Sequence, residues 1–426
     1  MGNSYEPTEA RPTEAEALGR IDLANLFSKA RDYGAEAAVA LLYEEEERLI
    51  GLLRSDRLPD GRPRYVRNGR YWRTLVTKLG KILFAVGRVY DRLRRRTFTP
   101  LLVALGLRRR RYALDLRLAC AEEASRTTYG EATESIHRSL NLWVPRRTIW
   151  HFVKELDPWI EAGLRSVPLL EVEGCHSADG TFVRGWKRGA QHEVNVAVRQ
   201  RAYDHKVELV AVQVDRSPTE VLDREEVERL VTDDAPAYSV DLARWHQLCH
   251  LHFLRRVQAL LTEERGLIEV AERDAVLRDL GALLGHLRAS VEKHRVDGDK
   301  VAITYRVEAT LRQFGAIATE LEDRGLRQTA RYVRERGRAT VVFADMAGHG
   351  GWMPATSNGV ERIMGMIADR CKKRWAHWNS GLERLVRQLL TRKTRPAAYG
   401  WATRRYLAGG TMLEPSLPVG PLINKS

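Results

Sequence analysis

Cysteine is scarce in this 426-residue chain: Cys120, Cys175, Cys249 and Cys371 are scattered and form no CxxC pair. Their scatter argues against a disulfide framework and points to a reducing compartment, the cytoplasm. Long apolar runs are missing too, the longest nearly unbroken one being Leu101 to Leu107. That is far short of the roughly 20 residues needed to cross a bilayer. The N-terminus opens on Glu and Pro without an apolar leader core, so a soluble, unsecreted protein is expected. No internal repeat of solenoid length is visible, which sets repeat architectures aside. Acids are nearly absent from one stretch: between Gly61 and Arg111 stand 16 basic residues and a single acid, Asp91.

That stretch carries +15 and a second one, Arg362 to Arg405, carries +10, so of a formal net charge of +14 the rest of the chain holds −11. Two concentrated positive regions on an otherwise acidic protein are the electrostatic footprint of a nucleic-acid binder, although solvated charged faces produce the same count. The densest clusters, Arg108, Arg109, Arg110 and Arg111 in the first and Lys372, Lys373 and Arg374 in the second, are the expected phosphate contacts. Trp375 and Trp378 beside the second cluster could stack on DNA or belong to the core.

At 44% hydrophobic residues the chain is long enough for more than one core. Residues 1–35 read as a flexible tail or loose helix, and 36–111 as a basic region whose alternation through Leu75, a Gly80 turn, Ile82, Phe84 and Val86 predicts a hairpin. Residues 112–160 read as a helix-turn-helix: one stripe is Ala132, Ile136 and Leu140, a turn follows at Asn141 and Leu142, and Pro145 opens a second helix with Ile149 and Val153 facing inward. Arg146, Arg147 and Thr148 would then occupy the end that meets base edges. Ordinary helical packing gives the same pattern.

Short strands follow at Glu171–Ser177, His192–Arg199 and Val207–Val214, with a fourth ending in LVTDD, then a helical stretch from His252 to about Val342 and a Gly-rich loop before a last helix. Three acids stand out in these contexts. Asp179 falls at the end of the first strand, Asp233 at the end of the fourth, and Glu361 in the first turn of the final helix. Acids at strand ends and a helix start can converge although distant in sequence, and converging carboxylates repel unless a cation neutralises them. Oxygen ligands of this kind suit Mg²⁺ or Mn²⁺, two of which could drive in-line displacement at a phosphodiester. Each acid also has an ordinary reading: Asp179-Gly180 as a turn, Asn358-x-x-Glu361 as a capping box, Asp233 as the opening of a loop. Asp234 competes with Asp233 for the second position.

His246, Cys249, His250 and His252 lie close enough in sequence to suggest zinc, yet a closed site needs four ligands and no matching cysteine pair exists. The order Asp-strand, Asp-strand, long helical stretch, Glu-helix resembles the DDE transposases of prokaryotic insertion sequences, which have a ribonuclease-H-like fold. HQLCHLHFLRR is similar to the Q-x-C-x-x-H that follows the second acid in Mutator-like and hAT-like transposases, with Gln247, Cys249 and His252 in the motif positions. ERIMGMIADRCKKRWAHWNSG looks like the Glu helix of related enzymes. The resemblance covers about Val172 to Arg374. It implies that Asp179, Asp233 and Glu361 are catalytic and bind the Mg²⁺ (or Mn²⁺) ions, and that Cys249 ends a fifth strand while His252 starts the next helix, bracing the active site without metal.

The expected architecture is α+β: a ribonuclease-H-like catalytic domain with an all-helical insertion, preceded by a basic helical DNA-binding region containing the helix-turn-helix. Its first part would span 170–262, the insertion 263–345, the final catalytic helix and basic C-terminal helices 346–400, and a tail 401–426. Double-stranded DNA, as element ends and target, is the expected partner of a homodimer or larger assembly in the cytoplasm, at the nucleoid. A domesticated DNA-binding regulator or a ribonuclease-H-like nuclease are the alternatives.

Overall fold

The computed structural model describes residues 23–107, 110–187, 189–217, 220, 222, 227–235, 238, 242–372, 377–378 and 380–409, with side chains from residue 32 onward. Two compact units divide the chain, one built from 1–120, 133–145 and 407–426, the other from 121–132 and 146–406.

In the first unit a long helix, α1 (Leu23–Arg54), precedes a hairpin of β1 (Tyr65–Thr77) and β2 (Gly80–Asp91), with β3 (Arg96–Phe98) added to β2 and a short α2 (Pro100–Ala104) after it. The expected tail is thus corrected, because residues 23–35 already belong to α1. The hairpin turns where expected: Gly80, at φ 118°, pairs with Thr77 across the two-residue turn, a conformation glycine adopts without steric cost. Alternation then buries Ile82, Phe84 and Val86 against Val39, Leu42 and Tyr43 of α1. A carboxylate sits in this apolar seam. Glu46 is fully buried, accepts the Gly87 N–H at 2.6 Å and pairs with Arg70 at 2.9 Å, so its charge is compensated where it lies.

Helices α3 (Leu114–Arg126) and α4 (Tyr129–Leu140) each run from one unit into the other, and α5 (Arg146–Ser166) lies in the second. On α5 the buried positions Ile149, Phe152, Val153, Leu156 and Ile160 recur at helical spacing.

The second unit is a mixed α+β structure around a five-stranded sheet: β4 (Gly174–Arg184), β5 (Gln191–Arg201), β6 (Val207–Val214), β7 (Arg229–Thr232) and β8 (Trp245–Leu248). The strand order is β6-β5-β4-β7-β8; β4, β5 and β6 pair antiparallel, while β7 is parallel to β4 and β8 to β7. Helices α6 (His250–Glu263), α7 (Val270–Asp297), α8 (Lys300–Asp323), α9 (Arg327–Arg336) and α10 (Val342–Gly348) follow. Their core, with Phe253, Leu284, Phe314 and Phe343, is continuous with Cys175 and Val231 of the sheet. Ala178, Ala197 and Leu230 form a separate cluster with Leu222 and Tyr238. Helix α11 (Asn358–Cys371) packs on β4 and β5, α12 (Leu382–Thr394) packs on β6 and α5, and α13 (Pro396–Gly409) continues where a tail was expected from residue 401.

Candidate active site

Asp179 is not at a strand end: it is the sixth of eleven residues in β4, which continues to Arg184. Asp-Gly does not turn here because Gly180 meets Asn195 across the sheet, where a Cβ would lie 2.4 Å from the Asn195 Oδ1. A glycine is what lets the strand pass. Asp233 directly follows β7, as expected. The parallel register between β4 and β7 matches His176 with Leu230 and Ser177 with Val231, an offset of 54 that also relates Asp179 to Asp233. Asp179 thus lies within β4, and Asp233 just past the end of the parallel strand β7 beside it. Glu361 lies in the first turn of α11, the helix that crosses β4.

The charges of Asp233 and Glu361 act on the Asp179 carboxyl. Burial pushes the Asp179 carboxyl up, the Gly180 N–H that it accepts at 2.7 Å opposes this, and the charges of Asp233 and Glu361 raise it further, leaving it at about 6. Asp234 is committed elsewhere: its carboxylate pairs with Arg336 of α9. Asp233 makes no ion pair among the described residues and accepts the Ala235 N–H at 3.1 Å. The capping-box reading of Asn358 and Glu361 is corrected, since Ser357 is the N-cap and its hydroxyl donates to Glu361 at 3.3 Å.

Each motif residue after β8 has a separate task. Gln247, fully buried, donates to the carbonyls of Leu248 and Thr340 and accepts the Phe343 N–H at 2.8 Å. Cys249 follows β8 as the N-cap of α6 and donates its backbone N–H to Thr232, next to Asp233. Its Sγ accepts the Ser357 N–H at 3.3 Å, while the His250 N–H donates to Ala355. These bonds hold the segment from Ala355 to Ser357 and so fix where α11 begins and where Glu361 arrives. The side-chain ligand atoms of Cys249, His252 and Glu361 lie within 4.8 Å of one another. Burial alone would push the Cys249 thiol up, but the His252 side chain and the Ser357 N–H outweigh it and bring it down to about 7. In return the Cys249 sulfur raises the His252 imidazole. The other three cysteines are buried and raised, hence inert thiols. His246 and His250 point elsewhere, to Thr232 and to the Thr340 carbonyl, and take no part in this cluster.

No family model matches the chain, and no curated protein matches it.

The basic clusters fare unevenly. Arg108, Arg109, Lys373 and Arg374 lie outside the described residues, as does Trp375. Arg110 and Arg111 are held by their backbones: their carbonyls accept from the Arg73 side chain and the Val76 N–H. Lys372 is exposed. Much of the counted charge has a structural use. Arg62, Arg64, Arg67 and Arg70 pair with Asp60, Asp56 and Asp91, Glu47, and Glu46. Arg370 is buried against the Ala124 carbonyl, Arg387 pairs with Asp157 and Glu383, and Arg395 donates to the Leu209 and Val167 carbonyls. Trp378 is a core residue, donating from Nε1 to the Cys371 carbonyl beneath the Arg370 guanidinium. Also exposed and without an ion pair among the described residues are Arg94, Arg95 and Arg96 at the turn from β2 to β3, a cluster that charge counting did not single out. Arg146 and Arg147 are exposed in the first turn of α5, and Thr148 is half-buried.

Proposed function

We propose that this chain is a DDE transposase acting on double-stranded DNA. The observation that carries the reading is the placement of Asp179 in β4 and Asp233 just past the end of the adjacent parallel strand β7, with Glu361 on the helix that packs on β4 and the charges of Asp233 and Glu361 felt at Asp179. A sheet in which the first strand is central, flanked by its antiparallel second and its parallel fourth, supports the ribonuclease-H-like assignment. The run of helices between β8 and α11 supports the helical insertion.

The acids fit a hard cation. Asp179 and Asp233 offer only carboxylate oxygens, and the raised Asp179 carboxyl reports crowding of negative charge that a divalent cation relieves. Asp179, Asp233 and Glu361 would hold Mg²⁺ or Mn²⁺, which supplies Lewis-acid activation of a water or 3′-hydroxyl and stabilises the leaving oxygen. The chain's own residues set the stage: Gly180 orients Asp179, Ser357 orients Glu361, and Arg336 draws Asp234 away from the cluster. End recognition would fall to Arg146 and Arg147, exposed in the first turn of α5, as the reading end of a helix-turn-helix. Pairing of element ends would require two copies of the chain.

The test is cleavage and strand transfer on DNA carrying the element's ends, with Mg²⁺ or Mn²⁺. Asp179→Asn, Asp233→Asn and Glu361→Gln should each abolish both steps while DNA binding persists, and Asp234→Asn should keep measurable cleavage. Hydrolysis without joined products would favour a nuclease, and no cleavage by the wild type would favour a DNA-binding regulator. A dead Asp234→Asn beside an active Asp233→Asn would reverse the assignment of the second acid.

A further inference from the structure

We propose that Cys249, His252 and Glu361 form a second, softer cation site, for Zn²⁺ or a cation of its class, which shares Glu361 with the acid cluster and so competes with the hard cation for it. The proposal rests on the transposase reading only for its consequence, inhibition. The site itself rests on geometry.

Three donors of different chemistry, a thiol sulfur, an imidazole nitrogen and a carboxylate oxygen, lie within 4.8 Å of one another. A tetrahedral Zn²⁺ with bonds of roughly 2.0–2.3 Å brings such donors to about 3.5 Å apart, so side-chain adjustments on the order of 1 Å complete the arrangement. Cys249 and His252 sit three apart across the first turn of α6, and Glu361 sits in the first turn of α11, so the donors come from two helix starts whose backbones are fixed by the Ser357–Cys249 and His250–Ala355 bonds. On the imidazole, the buried Nδ1 of His252 has no hydrogen-bond partner. Three protein ligands leave one position open, as in zinc sites that accept an exogenous ligand.

A soft donor pair beside a hard acid cluster gives Glu361 two uses. Bound with Cys249 and His252, its carboxylate is withdrawn from Asp179 and Asp233; bound with the two aspartates, it leaves thiol and imidazole as supports. Softness of the ligands separates the cations, with thiolate selecting Zn²⁺ over Mg²⁺.

The experiment is a Co²⁺ titration of the full metal-free chain without DNA, followed by displacement with Zn²⁺. The expected result is one equivalent bound, with a sulfur-to-cobalt charge-transfer band that Zn²⁺ abolishes. Cys249→Ser should remove the band, His252→Asn should weaken binding roughly tenfold or more, and Cys120→Ser should leave both unchanged. Because Cys249 is buried, folding of its variant is checked by circular dichroism, and His252→Asn, at a half-buried position, provides an independent arm. Absence of the band in the wild type, or its persistence in a folded Cys249→Ser, overturns the site. The spectrum needs no DNA and no turnover, so its failure is distinct from failure of the transposase reading, which is decided by the cleavage and strand-transfer assay.

Discussion

Replacing Asp179 by Asn should make the metal-free protein more stable at neutral pH. The Asp179 carboxyl stands at about 6 against an ordinary 3.8, raised first by burial and then by Asp233 and Glu361. In the folded chain the group keeps its proton up to about pH 6, whereas the unfolded chain gives it up near pH 4. The proton therefore stabilises the folded state below about pH 4, and that contribution is lost as pH rises from about 4 to 6. Above the window the folded protein bears the whole cost, about 3 kcal/mol for a shift of about two units. Asn is nearly isosteric, can still accept the Gly180 N–H, and carries no charge. Urea unfolding at pH 7.5 should show the variant more stable by about 3 kcal/mol, with the difference vanishing at pH 4. Cys249, near 7, titrates in both proteins and cancels from the comparison. Mg²⁺ should reverse the order, because a cation at about a thousand times its dissociation constant stabilises by about 4.1 kcal/mol only the protein that binds it. A variant no more stable than wild type at pH 7.5, or Mg²⁺ stabilising both equally, would refute the picture of crowded acids awaiting a cation.

Gly180→Ala should destabilise by about 1–3 kcal/mol, because the added Cβ must displace Asn195; an unchanged urea midpoint would show that the sheet yields there. Changing Arg94, Arg95 and Arg96 to Gln should flatten the dependence of log K on log salt for any duplex by up to about 0.9 per lost phosphate contact, and an unaltered slope would remove this turn from the DNA path. Substitution is preferable to excising Arg108 to Arg111, since the Arg110 and Arg111 carbonyls serve the hairpin. Arg147→Ala should cost about 1–3 kcal/mol on the element's own ends and much less on random DNA; equal losses would assign Arg147 to phosphate.

Elements governed by local periodicity were legible in the sequence. The Gly80 hairpin, the β5 alternation of Val194, Val196 and Val198, and the helices after His252 all formed where their patterns indicated. Cys249 and His252, expected from the resemblance to end a strand and to start a helix, are instead the N-cap and the third residue of α6, which begins at His250. Decisions that depend on a distant partner were not legible. Asp179-Gly180 carries a turn signature, and only Asn195 across the sheet explains why the strand continues. Asp233 and Asp234 are identical in type, and what separates them is Arg336, 102 residues away. Net charge failed for the same reason: counting arginines around Arg370, Arg387 and Arg395 cannot tell a phosphate contact from a guanidinium satisfying buried carbonyls or an aspartate. Ser357 could have been noticed, as a serine one residue before the Asn that was taken for the cap.

The bonds of Gln247 and His250 to Thr340, spanning 93 and 90 residues, join the entrance of the helical stretch to its exit. Whatever is threaded between those two points leaves and returns through one clasp. The route from β8 to α11 is therefore short in space however long it is in sequence, and the arrival of the third acid is decoupled from the size of what precedes it. Helices between residues 263 and 337 could be lengthened, trimmed or exchanged in a designed chimera without altering the spacing of the acids, provided that the clasp and the buried faces beside it are kept.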